Sequence, residues 1–312
     1  MRQAIKRFLS VLPFKRRLLQ AAAFLHPRLK SELGLHTINI IRAAHAQDKA
    51  DVFTTNLGLS HNYRILLPSS ASSVYLFGRA EHYYGERGAL FLAQFLAPDC
   101  NAFVDIGAHS GYYLFFLRNG LTNNLPIYYF EPNKELYDLI ERNLRANGLR
   151  GIKGYQAAVG AFSGRSKFFV NLSDSFSSSL TPMVSERRRL KEIPVDIYSF
   201  DSIVEEHGLE NLLVKVDVEN AEFEFLRGAT VHAGEISYLI MEVLGDAFAK
   251  GFIGSVTSKF EMQAYYINDY RLEHSPDGKC SWAPGEYNWL FCRLDPDELT
   301  SRLNCSPFSV VA

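Results

Sequence analysis

From residue 102 onward, short apolar segments alternate with amphipathic segments of helical spacing, and this alternation restricts the fold more than any other feature of the chain. The apolar segments carry few charges along their length, which is typical of strands buried on both faces of a parallel sheet. The predicted strands, in chain order, span residues 102–105, 127–130, 154–160, 212–217 and 236–242, with 265–267 and 289–292 as late edge strands. We therefore predict an α/β fold with a Rossmann-like sheet and helices on both faces.

Helix signals lie between these strands, as the fold requires. Residues 111–118 have helical character directly after a glycine-containing turn. Asn133 is a predicted N-cap because its side chain can accept a hydrogen bond from a first-turn amide, and Asn147-Gly148 ends the helix that follows.

The start of the chain differs from the rest in charge. Residues 1–50 hold ten Lys and Arg against two acids, whereas the whole chain has a formal net charge of -1. This segment could contact a membrane surface or an acidic partner, or it could form an accessory helical region. Pro13 and Pro27 interrupt any long helical face and favour the accessory region. The overall charge gives no reason to expect nucleic acid as a partner.

We predict an N-terminal accessory region, a main domain and a C-terminal tail, with the bounds 1–96, 97–294 and 295–312. Before the main domain, residues 63–67 and 74–77 flank a turn-rich segment and predict a hairpin, and a helix over 88–96 ends before Pro98.

Neither a membrane span nor a cysteine framework is expected. The apolar stretch near the start falls short of the roughly 18–20 residues that a span needs, and a signal peptide is not expected. The four cysteines have neither CxxC spacing nor histidine partners, so we expect free thiols and no zinc site. We predict a cytoplasmic protein, with peripheral contact at a membrane surface as the alternative.

The residues with the clearest chemistry lie where the predicted strands end, which is where an open α/β sheet binds its ligands. The segment 105–111, DIGAHSG, joins the first strand to the first helix, and its small residues let a ligand approach the backbone. Glu131 ends the next strand, 26 residues after Asp105, where a carboxylate can accept hydrogen bonds from both hydroxyls of a ribose. This combination predicts a nucleoside site, although a packing turn beside a solvated strand end would have the same residues.

The glycine spacing bears on which nucleoside binds. Gly107 and Gly111 match the three-glycine GxGxxG motif poorly, so the turn is a weak cradle for a pyrophosphate. A compact amino-acid group fits better, because Asp105 can meet its ammonium or order the loop around it. An NAD(P)-dependent oxidoreductase is therefore one alternative, and a non-catalytic binding protein on the same fold is another.

These residues resemble the FkbM-type methyltransferases. Over about residues 97–294 the matching segments follow one another in fixed order: FVDIGAHSGYY at 103–113, FEPN at 130–133, AAVG at 157–160, SSSL at 177–180, KVDVENAE at 215–222 and NWLF at 288–291. The resemblance implies a class I methyltransferase fold and S-adenosylmethionine as methyl donor. It implies transfer to a hydroxyl oxygen, often of a sugar, glycan or secondary metabolite.

The resemblance also implies cofactor contacts. These are Asp105, Gly107 and Gly111 at the amino-acid portion, Glu131 at the ribose and Ala158 near the adenine, with Ala108, His109 and Asn133 beside them.

Two residues depart from the family pattern. His109 stands where the family usually has Asn, and Asn220 stands where its DVEG motif has Gly. Asn tolerates a left-handed backbone, so we expect the turn at residue 220 to survive. His109 could contact a ligand, act as a substrate-side base or replace Asn as a hydrogen-bonding residue, and we favour the last.

An alcohol acceptor must lose a proton, which favours a general base near the transferred methyl group. Asp217 ends the fourth strand, where the reacting end of the cofactor is expected, and is the preferred base. Glu219 and Glu222 are further catalytic candidates, although each could instead stabilise the helix N-terminus that follows. Glu242 could pair with Asp217 around a divalent metal, but two scattered carboxylates are thin support and we predict no metal site.

Two polar segments leave the acceptor open. Residues 173–179, after a predicted hairpin strand at 167–170, form either a loop that covers the substrate or an exposed linker. Residues 187–189, three arginines, could attract an anionic acceptor or form a solvated helix face.

Overall fold

A computed structural model describes residues 52–55, 63–66, 86–120, 124–171, 178–181, 190–279 and 287–311. Three predictions lie outside the described residues: the basic segment 1–50, the hairpin strand at 74–77 and the arginine run at 187–189. Most of the polar loop at 173–179 lies outside them as well.

The strands, in chain order, are β1 Val52–Thr55, β2 Tyr63–Leu66, β3 Ala102–Ile106, β4 Ile127–Phe130, β5 Ile152–Tyr155, β6 Ala157–Val159, β7 Gly164–Asn171, β8 Leu190–Tyr198, β9 Leu212–Val216, β10 Ile236–Val243, β11 Gln263–Asn268, β12 Arg271–His274, β13 Tyr287–Cys292 and β14 Ser309–Val311. The helices are α1 Glu86–Leu96, α2 Tyr112–Gly120, α3 Lys134–Ala146, α4 Phe200–His207, α5 Glu222–Gly228, α6 Gly245–Ala249, α7 Phe252–Phe260 and α8 Pro296–Arg302. Among the described residues, every helix is too short or too polar to cross a membrane.

A nine-stranded sheet forms the centre of the fold, in the order β14-β12-β11-β13-β10-β9-β3-β4-β5. The five strands from β5 to β10 pair in parallel, and β13 pairs antiparallel with both β10 and β11. The chain runs outward from β3 to β4 and β5, then returns to β9 on the other side of β3. The strand order therefore reverses between β3 and β9, and the predicted α/β fold is confirmed.

Hydrophobic clusters cover both faces of this sheet, because alternate residues of each strand point to opposite sides. Phe103 of β3 and Leu213 of β9 belong to the cluster that holds the buried residues of α1, α2 and α8. Val104 and Val214, their neighbours along the same strands, belong to the cluster with α4, α5 and α7. Asn133 caps α3 as predicted, since its side chain accepts a hydrogen bond from the Glu135 amide at 3.0 Å.

The predicted third strand is wrong in one respect, because residues 154–160 are divided between two sheets. The strand β5 ends the large sheet at Tyr155, and β6 begins a three-stranded sheet in the order β6-β8-β7. The side chain of Ala158 packs with Phe168 of β7 and Ile197 of β8 in a small separate cluster. An apolar segment interrupted by the single polar residue Gln156 contains no signal for this change of partner.

The predicted edge strands are also wrong in position. The predicted edge strands correspond to β11 and β13. The strand β13 lies between β10 and β11, and β11 lies between β13 and β12, so neither β11 nor β13 is at an edge. The outer positions on this side of the sheet belong to β12 and β14. Neither has an apolar strand pattern, because β12 is polar and β14 has three residues. The segment that we predicted as a tail thus contributes α8 and the strand β14; the domain bounds at residues 96 and 294 stay a prediction.

Before the main sheet, β2 forms where a hairpin strand was predicted. Its partner among the described residues is β1, in an antiparallel register from Val52 opposite Leu66 to Thr55 opposite Tyr63. The predicted helix over 88–96 is confirmed as α1, which ends at Leu96 as predicted.

Gly228 at the end of α5 holds the loop after β6 against the main body, and a side chain there would break this contact. A Cβ atom would lie 2.0 Å from the Gly160 carbonyl oxygen, and neither backbone can move away easily. We expect Gly228→Ala to lower the free energy of unfolding by about 1–3 kcal/mol and Tm by about 3–10 °C. Gly234→Ala, whose Cβ would meet no atom within 4 Å, is the matched control in the thermal unfolding experiment. Equal Tm values for the two variants would contradict this packing.

Candidate active site

A cleft opens at the carboxyl ends of β3, β4 and β9, next to the point where the strand order reverses. The turn after β3, the end of β4, the strand β6 and the loop after β9 form its walls, and Phe168 and Leu180 close it from the three-stranded sheet. The predicted site residues that line it are Gly107, Ala108, His109, Glu131, Ala158, Asp217 and Glu219. Four others lie outside its lining: Asp105, Gly111, Asn133 and Glu222.

The turn after β3 is held by its neighbours on both sides. Gly107 has φ 82°, and a Cβ on it would lie 1.8 Å from the Asp217 carbonyl oxygen. The amides of Gly107 and Ala108 both donate to the Phe130 carbonyl, at 3.0 and 3.1 Å. Glycine is therefore required at residue 107 by the close approach of the loop after β9, which the sequence attributed to a ligand.

Glu131 joins this turn to the start of α3. Its Oε2 accepts a hydrogen bond from the His109 amide and its Oε1 from the Asn133 amide, each at 2.8 Å. The side chain is buried, and burial raises the pKa of Glu131 to about 8 although the two backbone hydrogen bonds oppose this. Each carboxylate oxygen keeps a second lone pair, so Glu131 can still accept hydrogen bonds from two hydroxyl groups.

The predicted cofactor residues outside the lining have local contacts that explain their positions. Asn133 caps α3 through its side chain, and the Gly111 amide donates to the Ala108 carbonyl at 2.7 Å. Asp105 is buried beneath the cleft wall, with the Lys215 ammonium 4.0 Å from its Oδ1. Their contact with a cofactor stays a prediction.

His109 has a left-handed backbone with φ 51°. Asn adopts this region more readily than most residues, which explains why Asn serves in the family at this position. The His109 side chain lines the cleft, and its charge lowers the pKa of Asp217. The left-handed backbone thus accounts for the Asn that the family usually has at position 109. That the His109 imidazole replaces Asn as a hydrogen-bonding group stays a prediction.

Three carboxylates and one ammonium meet at the mouth of the cleft. Oxygen atoms of Asp217, Glu219 and Glu242 all lie within 4.8 Å of one another, and the Lys215 ammonium donates to Asp217 Oδ2 at 3.0 Å. Burial alone would raise the pKa of Asp217, but the charge of Lys215 and a hydrogen bond with Glu242 outweigh it and hold the pKa below its ordinary value. Asp217 is therefore ionised at neutral pH.

Lys215 has a place in this site that the sequence analysis missed. The residue is 5% exposed and lies in the middle of an apolar strand, where its contacts depend on the pairing of β9 with β3. One signal was available, because a lone charged residue inside a strand predicted to be buried on both faces needs a partner.

The loop after β9 is strained and braced. Glu219 and Asn220 have φ 49° and 72°, so two consecutive non-glycine residues are left-handed. Glu222 is 1% exposed and accepts hydrogen bonds from the backbone amides of Asn220 and Leu244, while burial raises its pKa. Glu222 thus ties the loop to the end of β10, and it is not among the residues that line the cleft.

A short segment from the three-stranded sheet clamps the same loop. The Ser179 hydroxyl donates to the Val218 carbonyl at 3.3 Å, and the Thr181 hydroxyl donates to the Asn220 carbonyl at 2.6 Å. The sequence did not predict these two contacts, because each joins residues that are 39 positions apart along the chain.

Comparison with known proteins identifies the family. Residues 105–268, more than half of the chain, match the family described as the methyltransferase FkbM domain. The chain belongs to this family. The predicted resemblance is confirmed, and with the strand order above so is the predicted class I methyltransferase fold.

Relatives of this FkbM methyltransferase include fungal proteins. Methyltransferase sdnD of Sordaria araneosa is 27% identical over 221 residues, which cover 61% of this chain and 80% of that protein. Methyltransferase 1 of Beauveria bassiana is 23% identical over 197 residues, which cover 57% and 78%. Among solved structures, the methyltransferase FkbM of Methylobacillus flagellatus KT matches 88% of this chain with 16% identity and a TM-score of 0.40. This chain spans 59% of the length of that solved protein.

The left-handed backbone at Asn220 leads to a test of the loop. We expect Asn220→Gly to keep or slightly raise Tm, because Gly adopts φ 72° without strain. Asn220→Val should lower the free energy of unfolding by about 1–3 kcal/mol, since a β-branched residue is strained there. Asn101→Val, at an exposed position whose φ is not positive, is the control in thermal unfolding. A Tm for Asn220→Val that equals the control would show that the loop is not strained.

Proposed function

We propose that this protein transfers a methyl group from S-adenosylmethionine to a hydroxyl oxygen of a sugar, glycan or secondary metabolite. The observation that carries the proposal is the buried carboxylate of Glu131, fixed by two backbone amides at the end of β4 in the cleft of an FkbM methyltransferase. A carboxylate at this strand end is suited to a ribose with two free hydroxyls.

The residues of the cleft fit this cofactor. Ile106, Phe130 and Ala158 line it with apolar surface suited to an adenine ring, close to the Glu131 carboxylate that would hold the ribose. Besides its glycine spacing, the turn after β3 has a second feature that favours S-adenosylmethionine over a dinucleotide. The amides of Gly107, Ala108 and His109 are all used by residues of β4 and by Glu131, so these three donors do not form a pyrophosphate cradle.

When bound, S-adenosylmethionine supplies an electrophilic methyl group, whose bond to sulfur breaks with its electron pair on sulfur as the bond to the acceptor oxygen forms. Asp217, ionised and at the edge of the cleft, would accept the hydroxyl proton of the acceptor. Glu219 lies within reach of the same acceptor, whereas Glu222 is engaged by backbone amides and would support the loop. Positioning of the acceptor against Asp217 would supply much of the rate.

We also propose that turnover needs no divalent metal. One oxygen of Asp217 already receives the Lys215 ammonium, whose positive charge offsets part of the negative charge of the three neighbouring carboxylates.

The partners follow from the same reasoning. We propose a small-molecule or glycan acceptor and no nucleic acid, with residues 1–50 as an accessory region whose alternative is contact with a membrane surface or an acidic partner. We propose a cytoplasmic location, with peripheral contact at a membrane surface as the alternative.

Cofactor binding should depend on pH through Glu131. Its pKa of about 8 means that the carboxyl is protonated, and has lost acceptor capacity, at lower pH. Because ribose hydroxyls donate to the ionised form, affinity for S-adenosylhomocysteine should rise with pH, by at most about tenfold per unit, and level off above pH 8. Titration calorimetry from pH 6 to 9 measures this, and an affinity independent of pH would contradict it.

The Glu131→Gln variant should remove that pH dependence and weaken binding by about tenfold or more, since a charge-assisted hydrogen bond is lost. Glu135→Gln, at an exposed position on α3, is the control. Tighter binding of NAD than of S-adenosylmethionine to the unaltered protein would favour the oxidoreductase, and binding of none of these ligands would favour a non-catalytic protein.

Removal of the Asp217 carboxylate should separate binding from chemistry. We expect Asp217→Asn to bind S-adenosylhomocysteine within about threefold of the unaltered protein, while turnover falls by about 10²–10⁴-fold. Labelled-methyl transfer to a panel of glycans and small-molecule alcohols, with EDTA present, provides the assay. Normal turnover by Asp217→Asn would remove it as the base, and activity that EDTA abolishes and Mg²⁺ restores would contradict the metal-independent mechanism.

A further inference from the structure

Lys215 lies between two carboxylates on the face of the sheet that leads to the cleft. It pairs in register with Asp105 on β3 and with Ile240 on β10. Its ammonium nitrogen is 3.0 Å from Asp217 Oδ2, 4.0 Å from Asp105 Oδ1 and 5.1 Å from the centre of the Tyr113 ring. One buried cation thus lies beside both Asp105, beneath the cleft, and Asp217, at its mouth.

Stability does not explain a lysine at this position. Burial of an ammonium costs several kcal/mol, and pairing with carboxylates offsets this cost only in part. Two of its neighbours on the same face, Leu213 and Ile240, are apolar members of one hydrophobic cluster, whereas Asp105 and Asp217 are acidic. An apolar residue would continue the pattern of Leu213 and Ile240, so the charge of Lys215 is explained by its two acidic neighbours.

The groups that face Asp217 explain what the charge does. Those around Asp217 itself are Lys215 on β9, His109 in the turn after β3, Glu131 after β4, Glu219 and Glu222 in the loop after β9, and Glu242 on β10. Asp105 on β3 and Tyr113 on α2 lie beside Lys215. Most of these groups are acidic. Among the residues that line the described cleft, Lys215 carries the permanent positive charge.

We propose that Lys215 is a positioning residue, which holds Asp217 ionised and oriented toward the acceptor and secures Asp105 beneath the cofactor turn. The proposal rests on the proposed function in one respect, since it takes Asp217 as the proton acceptor. Without Lys215, the neighbouring carboxylates would repel the charge on Asp217, and this side chain would retain a proton to higher pH. The acid limit of the pH range in which Asp217 can act as the base would then move to higher pH.

The decisive measurement is the titration of Asp217 itself, which needs no acceptor. In protein labelled with ¹³C at aspartate carboxyl carbons and saturated with S-adenosylhomocysteine, the Asp217 signal is assigned by its absence in Asp217→Asn. We expect Lys215→Met to move the titration midpoint up by at least about one pH unit, a change that one nearby charge commonly produces. Lys215→Arg, which keeps the charge, should leave the midpoint closer to that of the unaltered protein.

Lys259→Met is the matched control, because this lysine donates to the Leu226 carbonyl and lies outside the lining of the cleft. It should leave the Asp217 midpoint unchanged. An unchanged midpoint in Lys215→Met would overturn the proposal. If Lys215→Met does not fold, Lys215→Arg and Lys215→Gln are titrated instead, and equal midpoints in those two would overturn it as well.

A double-mutant comparison tests whether Lys215 acts through Asp217. With an acceptor from the transfer panel, the acid side of the kcat profile should move up in Lys215→Met by the same amount as the midpoint. In the Asp217→Asn background, Lys215→Met should change kcat by less than about twofold. If Lys215 acted independently of Asp217, the loss in kcat of the double variant would be the product of the losses in the two single variants. Failure of the unaltered protein to bind S-adenosylhomocysteine would reject the proposed function, while the midpoint in ligand-free protein would still report on Lys215.

Discussion

The parallel pairing of β3 with β9 is the contact on which the site depends. It sets Asp105 beside Lys215 and brings the Asp217 amide within 2.9 Å of the Ile106 carbonyl. The loop after β9 then passes so close to the turn after β3 that only glycine fits at residue 107. Both walls of the cleft are therefore positioned by backbone contacts between two strands that are more than a hundred residues apart along the chain.

Two carboxylates in one cleft acquire opposite properties from their surroundings. Glu131 is buried without a cation, so its pKa is raised to about 8, whereas Asp217 has Lys215 beside it and its pKa is lowered. This separation is a common way for an active site to divide tasks between acidic groups. Here one carboxyl is suited to binding hydroxyl groups, and the other stays ionised and able to accept a proton.

Much of the fold followed from local pattern, and the errors have a common physical origin. The apolar strands that end at Ile106, Phe130 and Val216 were predicted in place, because burial on both faces leaves a continuous apolar segment. The division at Gln156 and the interior position of β13 were not predicted. Both depend on which strands pair, and pairing is decided by distant partners that a local pattern does not contain.

The sequence by itself determined the chemical identity of the site: a strand, a glycine turn and Glu131 in the order of an FkbM methyltransferase. It also determined that Asn220 could occupy a glycine position, because its short polar side chain tolerates a left-handed backbone. Only the tertiary structure decided that Glu222 braces a loop, that Asp105 lies beneath the cleft, and that Lys215 joins Asp105 to Asp217. The physical reason is that burial and charge pairing act through space, between residues that strand order brings together.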